Sequence, residues 1–395
     1  MPDAPLGGLT PAAFLREYWQ KKPLLIRGAL PGFTSPIRPN DLAALACDDD
    51  VEARLVLEQG GAYPWELRLG PFTPDDFRSL PPSHWTLLVQ EVDRHVPAVA
   101  ELRDRFRFLP NWRIDDVMVS FATEGGGVGP HIDNYDVFLI QGLGRRRWRI
   151  GHEPVLEEHL VPDLDVRILA DFAPDAEWVL EPGDLLYLPP RIAHEGVALE
   201  PCMTFSVGFR APSHAELVAG FLEDRLASLD PNLRYGDPDL TPPIHPGMIG
   251  PEARAYVRNV LRALVRDDDA LDAWFGRFIT TPKRGPAYDA YLDDEEAADA
   301  SEEAPIQPEE VIEVLRAGGR LRRRALSELA FIPHPDGSAT LFAAGAAHTV
   351  PTDAAWLLTG TEPLDAETLG PFFGNASVMA VVATLIDRGV LAADT

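Results

Sequence analysis

Between residues 115 and 210 the apolar residues arrive in short bursts, each closed by glycine or proline. The bursts are Val117–Phe121, Asp136–Gln141, Arg146–Ile150, Leu185–Leu188 and Met203–Phe209. Between them lie the glycine-rich stretch 125–129, the triplet Gly142-Leu143-Gly144 and the turn Glu181-Pro182-Gly183-Asp184. Bursts of this length are too short for helices, and the punctuation makes each a separate strand, so this quarter of the chain is a β-barrel or jelly roll.

The flanks read differently. Near the N-terminus Thr10-Pro11 opens a short helix, with threonine as the cap and proline in the first turn. It precedes a short apolar strand, Pro23–Arg27. After Pro212 helical periodicity takes over to about residue 279, with one apolar face in 215–222 and another in 253–261. An acidic, alanine-rich run over 293–304 is a linker. The last ninety or so residues hold a helix near 308–317, a hairpin turning at Pro335-Asp336-Gly337-Ser338, and helices near 353–359 and 375–388. The fold class is α+β: residues 1–211 a β-barrel domain, 212–292 a helical region, 305–395 a compact C-terminal domain. A chain of 395 residues has room for this.

Composition narrows the setting. The chain has no apolar run long enough to span a bilayer and no basic-then-apolar leader at Met1–Pro5, which leads us to expect a cytoplasmic protein without membrane partners. Two cysteines, Cys47 and Cys202, are too few for a disulfide framework or a thiolate zinc site. The 62 acidic against 35 basic residues leave a formal charge of −27. That charge aids solubility, and it also attracts basic partners and repels free nucleic acid.

The chemistry concentrates in Gly129-Pro130-His131-Ile132-Asp133 and, much later, in Pro189-Pro190-Arg191-Ile192-Ala193-His194. On a strand, His131 and Asp133 share one face because side chains alternate with period two. The Pro-Gly-Asp turn, an apolar strand, Pro-Pro and then His194 follow the order in which a double-stranded β-helix supplies its third ligand. Two imidazoles and one carboxylate on one side of a metal leave three cis positions open, the facial arrangement of non-haem Fe(II) oxygenases. Zinc accepts the same donors. The remaining histidines, among them His152 and His159, lack ligand-like spacing.

A second clue lies in Arg145-Arg146-Arg147-Trp148-Arg149-Ile150. Alternation sets Arg145, Arg147 and Arg149 outward and leaves Arg146 on the face of Trp148 and Ile150, inside the barrel. A guanidinium there requires an anion. The far carboxylate of a dicarboxylate co-substrate satisfies it, through charge-assisted hydrogen bonds worth roughly 1.5–3 kcal/mol each. Ser120, on an earlier strand, is placed to add a hydroxyl. Asn134, Tyr135 and Asp136 follow the metal pair and are candidates for the substrate entrance, with a structural role equally open for Asp136.

The runs Gly127–Phe138, Gln141–Trp148, Glu181–Pro190, His194–Gly196 and Ser206–Pro212 together resemble the bacterial ribosomal oxygenases, JmjC-type enzymes of the cupin superfamily. The resemblance covers residues 10–280. It implies Fe(II) on His131, Asp133 and His194, and 2-oxoglutarate held by Arg146 with Ser120. It also implies a homodimer formed by the helical region and a C-terminal winged helix. The expected reaction is hydroxylation of an arginine side chain in large-subunit ribosomal protein sixteen; histidine hydroxylation in another ribosomal protein, or JmjC-type demethylation, is the alternative. The acidic linker has no counterpart in the family pattern. The basic cluster Arg320–Arg324 is read as an inter-domain or solvated face in preference to a nucleic-acid contact.

Overall fold

The computed structural model describes residues 4–62, 64–282, 305–324 and 326–393. The acidic linker lies outside them. Eleven strands build the N-terminal half: β1 (Leu24–Ile26), β2 (Ala53–Leu57), β3 (Glu66–Leu69), β4 (Trp85–Val89), β5 (Ile114–Ala122), β6 (Val137–Leu143), β7 (Arg146–Pro154), β8 (Ala176–Leu180), β9 (Leu185–Leu188), β10 (Ile192–Ala198) and β11 (Cys202–Phe209). They form an eight-stranded antiparallel sheet, β1-β9-β6-β11-β5-β4-β2-β3, and a three-stranded one, β10-β7-β8. The two face each other as a jelly roll.

The strand alternation sorts the side chains of the large sheet by chemistry. Val117, Val119, Phe138, Ile140, Phe205 and Val207 point to one face and join the main core. Their sequence neighbours Met118, Ser120, Leu139 and Ser206 point the other way and line a cavity inside the barrel. Both faces are buried, so β11 is buried at all eight positions. A strand covered on both sides can carry apolar residues for packing and polar ones for chemistry at alternate positions.

Helices cover the outer face. Thr10 caps the helix Pro11–Glu17, its hydroxyl accepting from the Ala13 amide at 3.2 Å. That helix drives the fully buried Phe14 against Tyr187, with ring centroids 4.9 Å apart, and against Phe138 at 5.5 Å. Phe106 and Phe209 extend the cluster on Phe138. Burying a ring of this size contributes roughly 1.5–3 kcal/mol, so this aromatic layer fixes the sheet that carries the site.

Beyond the barrel, helices His214–Ser228, Pro251–Ala263 and Asp268–Thr280 form the helical region. The C-terminal domain has its own core. It comprises helix Pro308–Arg316 and a three-stranded sheet of β13 (Leu329–Pro333), β14 (Ser338–Ala343) and β15 (Ala346–Pro351). The helices Thr352–Thr359 and Ala376–Asp387 complete it, with a small ladder of β12 (Leu321–Arg323) and β16 (Leu391–Ala393). The hairpin turn at Pro335–Ser338 and both late helices stand where the periodicity put them. Arg107 and Asn111 tie this domain to the barrel side, both donating to the Thr359 carbonyl, at 2.7 and 2.9 Å. The basic cluster is largely consumed here. Arg323 donates to the carbonyls of Leu357 and Leu358, and Arg324 to that of Arg94. Among the described residues no helix is long and apolar enough to cross a membrane.

Candidate metal centre

The loop joining β5 to β6 carries His131 and Asp133, and its backbone dictates where they go. It runs against β10: the Gly125 amide donates to Ala198, and the Ala198 amide donates back to Gly126, both at 2.9 Å. A methyl group at Gly127 would stand 2.7 Å from the Gly196 carbonyl oxygen, so only glycine permits this approach. His131 and His194 then exchange backbone hydrogen bonds at 3.0 and 2.9 Å, an isolated bridge that sets the two rings side by side with centroids 4.2 Å apart.

The alternation argument for His131 and Asp133 therefore needs correcting. They do not lie on a regular strand; Ile132 and Asp133 are loop residues, and the loop's own path brings both side chains to one side. His194 is on β10 as expected. Ligand atoms of the three residues all lie within 4.8 Å of one another, and His194 Nε2 stands 3.6 Å from Asp133 Oδ2. Each imidazole is oriented from behind. His131 Nδ1 sits 3.0 Å from the Gly129 carbonyl oxygen and His194 Nδ1 2.9 Å from that of Ile192. With Nδ1–H donating to a carbonyl, Nε2 keeps its lone pair for a metal. Burial, then the neighbouring His131, pushes His194 down to about 4, which holds it as the neutral ligand form.

The same cavity, about 510 Å³, contains Arg146 and Ser120. Arg146 faces inward with Trp148, as the alternation on β7 requires, and both are buried. Its Nε and one Nη are buried with no hydrogen-bond partner, and so is the indole nitrogen of Trp148. Leaving a buried guanidinium unpaired is costly. An anionic group with two acceptor oxygens is what this wall lacks, and a dicarboxylate fits it. The donor set beside it, two imidazoles and one carboxylate on one side of an open cavity, fits divalent iron.

Two residues at the mouth extend the expected set. Asp115 and Asp116, at the start of β5, line the cavity with Tyr135. Burial, then the charges of Asp115 and Asp93, pushes Asp116 up to about 7, although it accepts from the Glu91 amide at 2.9 Å. Asp116 shares the parity of Ser120 and Met118, so the alternation on β5 already pointed to it. Tyr135 is at the entrance as anticipated. Asp136 is not: it is fully buried behind the site. Its carboxylate accepts from Tyr187 at 2.6 Å, from Gln20 at 2.9 Å and from Arg113 at 3.2 Å. His152 and His159 are exposed and stand apart from the cluster. Opposite Asp133, Arg191 fastens the loop, its amide donating to the Asp133 carbonyl at 2.6 Å and its guanidinium to Asn134 at 2.9 Å.

Comparison with known proteins agrees with this geometry. A family model described as a JmjC domain matches residues 101–217, and one described as a ROXA-like winged helix matches residues 262–392. The ribosomal protein uL16 3-hydroxylase of Escherichia coli (strain K12) is 38% identical over 381 residues, 95% of either chain. The crystal structure of E. coli YcfD aligns with a TM-score of 0.83 at 37% identity, covering 98% of this chain and 99% of that one. The ribosomal oxygenase YcfD in complex with cobalt and 2-oxoglutarate aligns at 0.81 and 36% identity, with the same coverage. With a jelly roll, an inward arginine and a His-x-Asp…His cluster in one cavity, the chain belongs to the ribosomal oxygenases, JmjC-domain enzymes dependent on 2-oxoglutarate that carry a C-terminal winged helix.

Proposed function

We propose that this protein hydroxylates an arginine side chain of the large-subunit ribosomal protein uL16, with Fe(II) held by His131, Asp133 and His194. The reading is carried by one observation above all, the unpartnered Arg146 guanidinium in the cavity of the three ligands. Arg146 would bind the far carboxylate of 2-oxoglutarate, with the Ser120 hydroxyl beside it. What bound iron and keto acid supply is the oxidation itself: one oxygen atom of O2 enters a substrate C–H bond, and the other leaves in succinate, with loss of CO2.

The protein's share is orientation and exclusion of water. Arg146 fixes one end of the co-substrate, so its keto acid end can turn only toward the three ligands. A substrate side chain filling the cavity would keep solvent from the reacting atoms. At the mouth, Asp115 and Asp116 suit a guanidinium, and Tyr135 offers it a ring face. This acidic rim favours a cationic side chain over a neutral imidazole. A ribosomal substrate would be met in the cytoplasm.

The second copy in a homodimer would be held by the helical region. Val218, Leu222 and Leu226 form an exposed apolar stripe along helix His214–Ser228, and Val257, Val260 and Leu261 another along Pro251–Ala263. Stripes of this extent on adjacent helices are characteristic of a subunit interface.

The decisive experiment is mass spectrometry of uL16 incubated with the enzyme, Fe(II) and 2-oxoglutarate. The expected product carries one extra oxygen on a single arginine. Oxygen on a histidine, or release of formaldehyde from a methylated substrate, would overturn the arginine reading.

A further inference from the structure

A second cleft, about 1000 Å³, lies between the barrel, the helical region and the C-terminal domain. It shares Asp115 and Tyr135 with the metal cavity, so the two adjoin at those residues. Its floor is aromatic, with Trp112, Trp274 and Phe278. Its rim is acidic, with Glu216 and Glu223 exposed on helix His214–Ser228. The two cations on it are engaged: Arg277 donates to Asp224 at 2.8 Å, and Arg210 donates to the Ile279 carbonyl. The exposed apolar stripe Val218-Leu222-Leu226 occupies a different face of the same helix, which leaves the cleft wall open when that stripe is covered.

We infer that this cleft is a docking site for the basic, extended segment of the protein substrate that flanks the reacting residue. The inference rests on the reading of a ribosomal protein as substrate. Charge complementarity selects the occupant. An acidic rim on a chain of net charge −27 attracts a basic segment, and aromatic floors accept arginine and lysine stems through cation–π contact. The cleft adjoins the metal cavity at Tyr135, so a segment lying in it stays next to the residue that enters the barrel. A substrate held at two places would be recognised as a folded protein surface or long loop, beyond the single side chain that enters the barrel.

The test uses the full-length enzyme and full-length uL16. Glu223→Lys reverses one rim charge, and Glu101→Lys makes the same charge change at an exposed site lining neither cavity. Glu223→Lys is expected to raise KM for uL16 by about tenfold with kcat kept, whereas Glu101→Lys stays within about twofold. Turnover of 2-oxoglutarate without protein substrate should be unchanged in both. Independently, a photo-crosslinking amino acid at Ala219, on the cleft wall, should capture uL16, and one at exposed Trp356 should not. Crosslinking is scored without turnover. Capture at Ala219 without hydroxylation therefore sinks the substrate reading and keeps the cleft. Hydroxylation with an unchanged KM in Glu223→Lys, equal effects in both variants, no capture of uL16 at Ala219, or capture of a second copy of the chain there would each overturn the cleft.

Discussion

Arg146 is an inward-facing cation with buried donors and no acceptor in reach, so its removal should be felt by one ligand. Arg146→Ala is expected to raise the 2-oxoglutarate concentration for half-maximal turnover by roughly one to two orders of magnitude, the loss of two charge-assisted hydrogen bonds. Titrating the keto acid in a succinate-release assay checks this. His131→Ala or His194→Ala should abolish 2-oxoglutarate turnover while circular dichroism shows the fold kept. Asp116 gives a pH signature. Burial and neighbouring acids lift it to about 7, so in the free enzyme it is neutral below that pH and a carboxylate above it. KM for a cationic substrate should therefore fall as pH rises from 6 to 8, on the order of several-fold, and Asp116→Asn should flatten the profile. Stability runs the other way: the folded state holds this proton more tightly than the unfolded chain, so the contribution is complete below about 4 and is lost as pH climbs through 7. Residue parity made much of this legible. Arg146 and Trp148 were assigned inward from alternation, Ser120 was named only as a hydroxyl on an earlier strand, and Asp116 follows from Ser120 by the count of two. What parity could not give is how many acids crowd Asp116, since Asp93 arrives from a different element.

At the scale of elements, the metal loop is set by what holds its two ends. Upstream, glycine lets the chain lie against β10; downstream, Asp136 anchors the entry to β6 to Tyr187, Gln20 and Arg113. Asp136→Ala should cost about 3–5 kcal/mol, because it strands a buried tyrosine hydroxyl and a guanidinium together. Chemical denaturation of the variant measures it, and a change below about 1 kcal/mol would show the anchor to be dispensable. Elements with clean punctuation were readable in the sequence, as Leu185–Leu188 shows. The loop at His131 was read as strand because His-x-Asp mimics alternation, and its true path depends on β10, distant in sequence. Strands β2, β3 and β4 went unread for a related reason. In β2 and β4 both faces are covered or line the cavity, so Ala53–Leu57 and Trp85–Val89 show no contrast of apolar and polar parity.

For the whole molecule, the helical region is where the proposed dimer would form. Leu222→Glu with Leu226→Glu places two charges in the proposed interface and should convert a dimer into a monomer by light scattering, with the barrel's circular dichroism unchanged. A wild-type monomer would refute the interface. The C-terminal domain is fastened to the barrel by Arg107, Asn111 and the Arg94–Glu328 pair. Of its basic cluster, Arg324 is spent on that junction and Arg323 on carbonyls of its own domain, so the run of charges in the sequence is not one free patch in space. A linear reading gives the charges but cannot say which carbonyls absorb them.

The backbone bridge between His131 and His194 has one more consequence. Those two backbone hydrogen bonds need no ion, so the cage stands before its tenant arrives. A chelator should strip the metal and silence the enzyme without melting it, and returning ferrous salt should restore turnover with no lag for refolding.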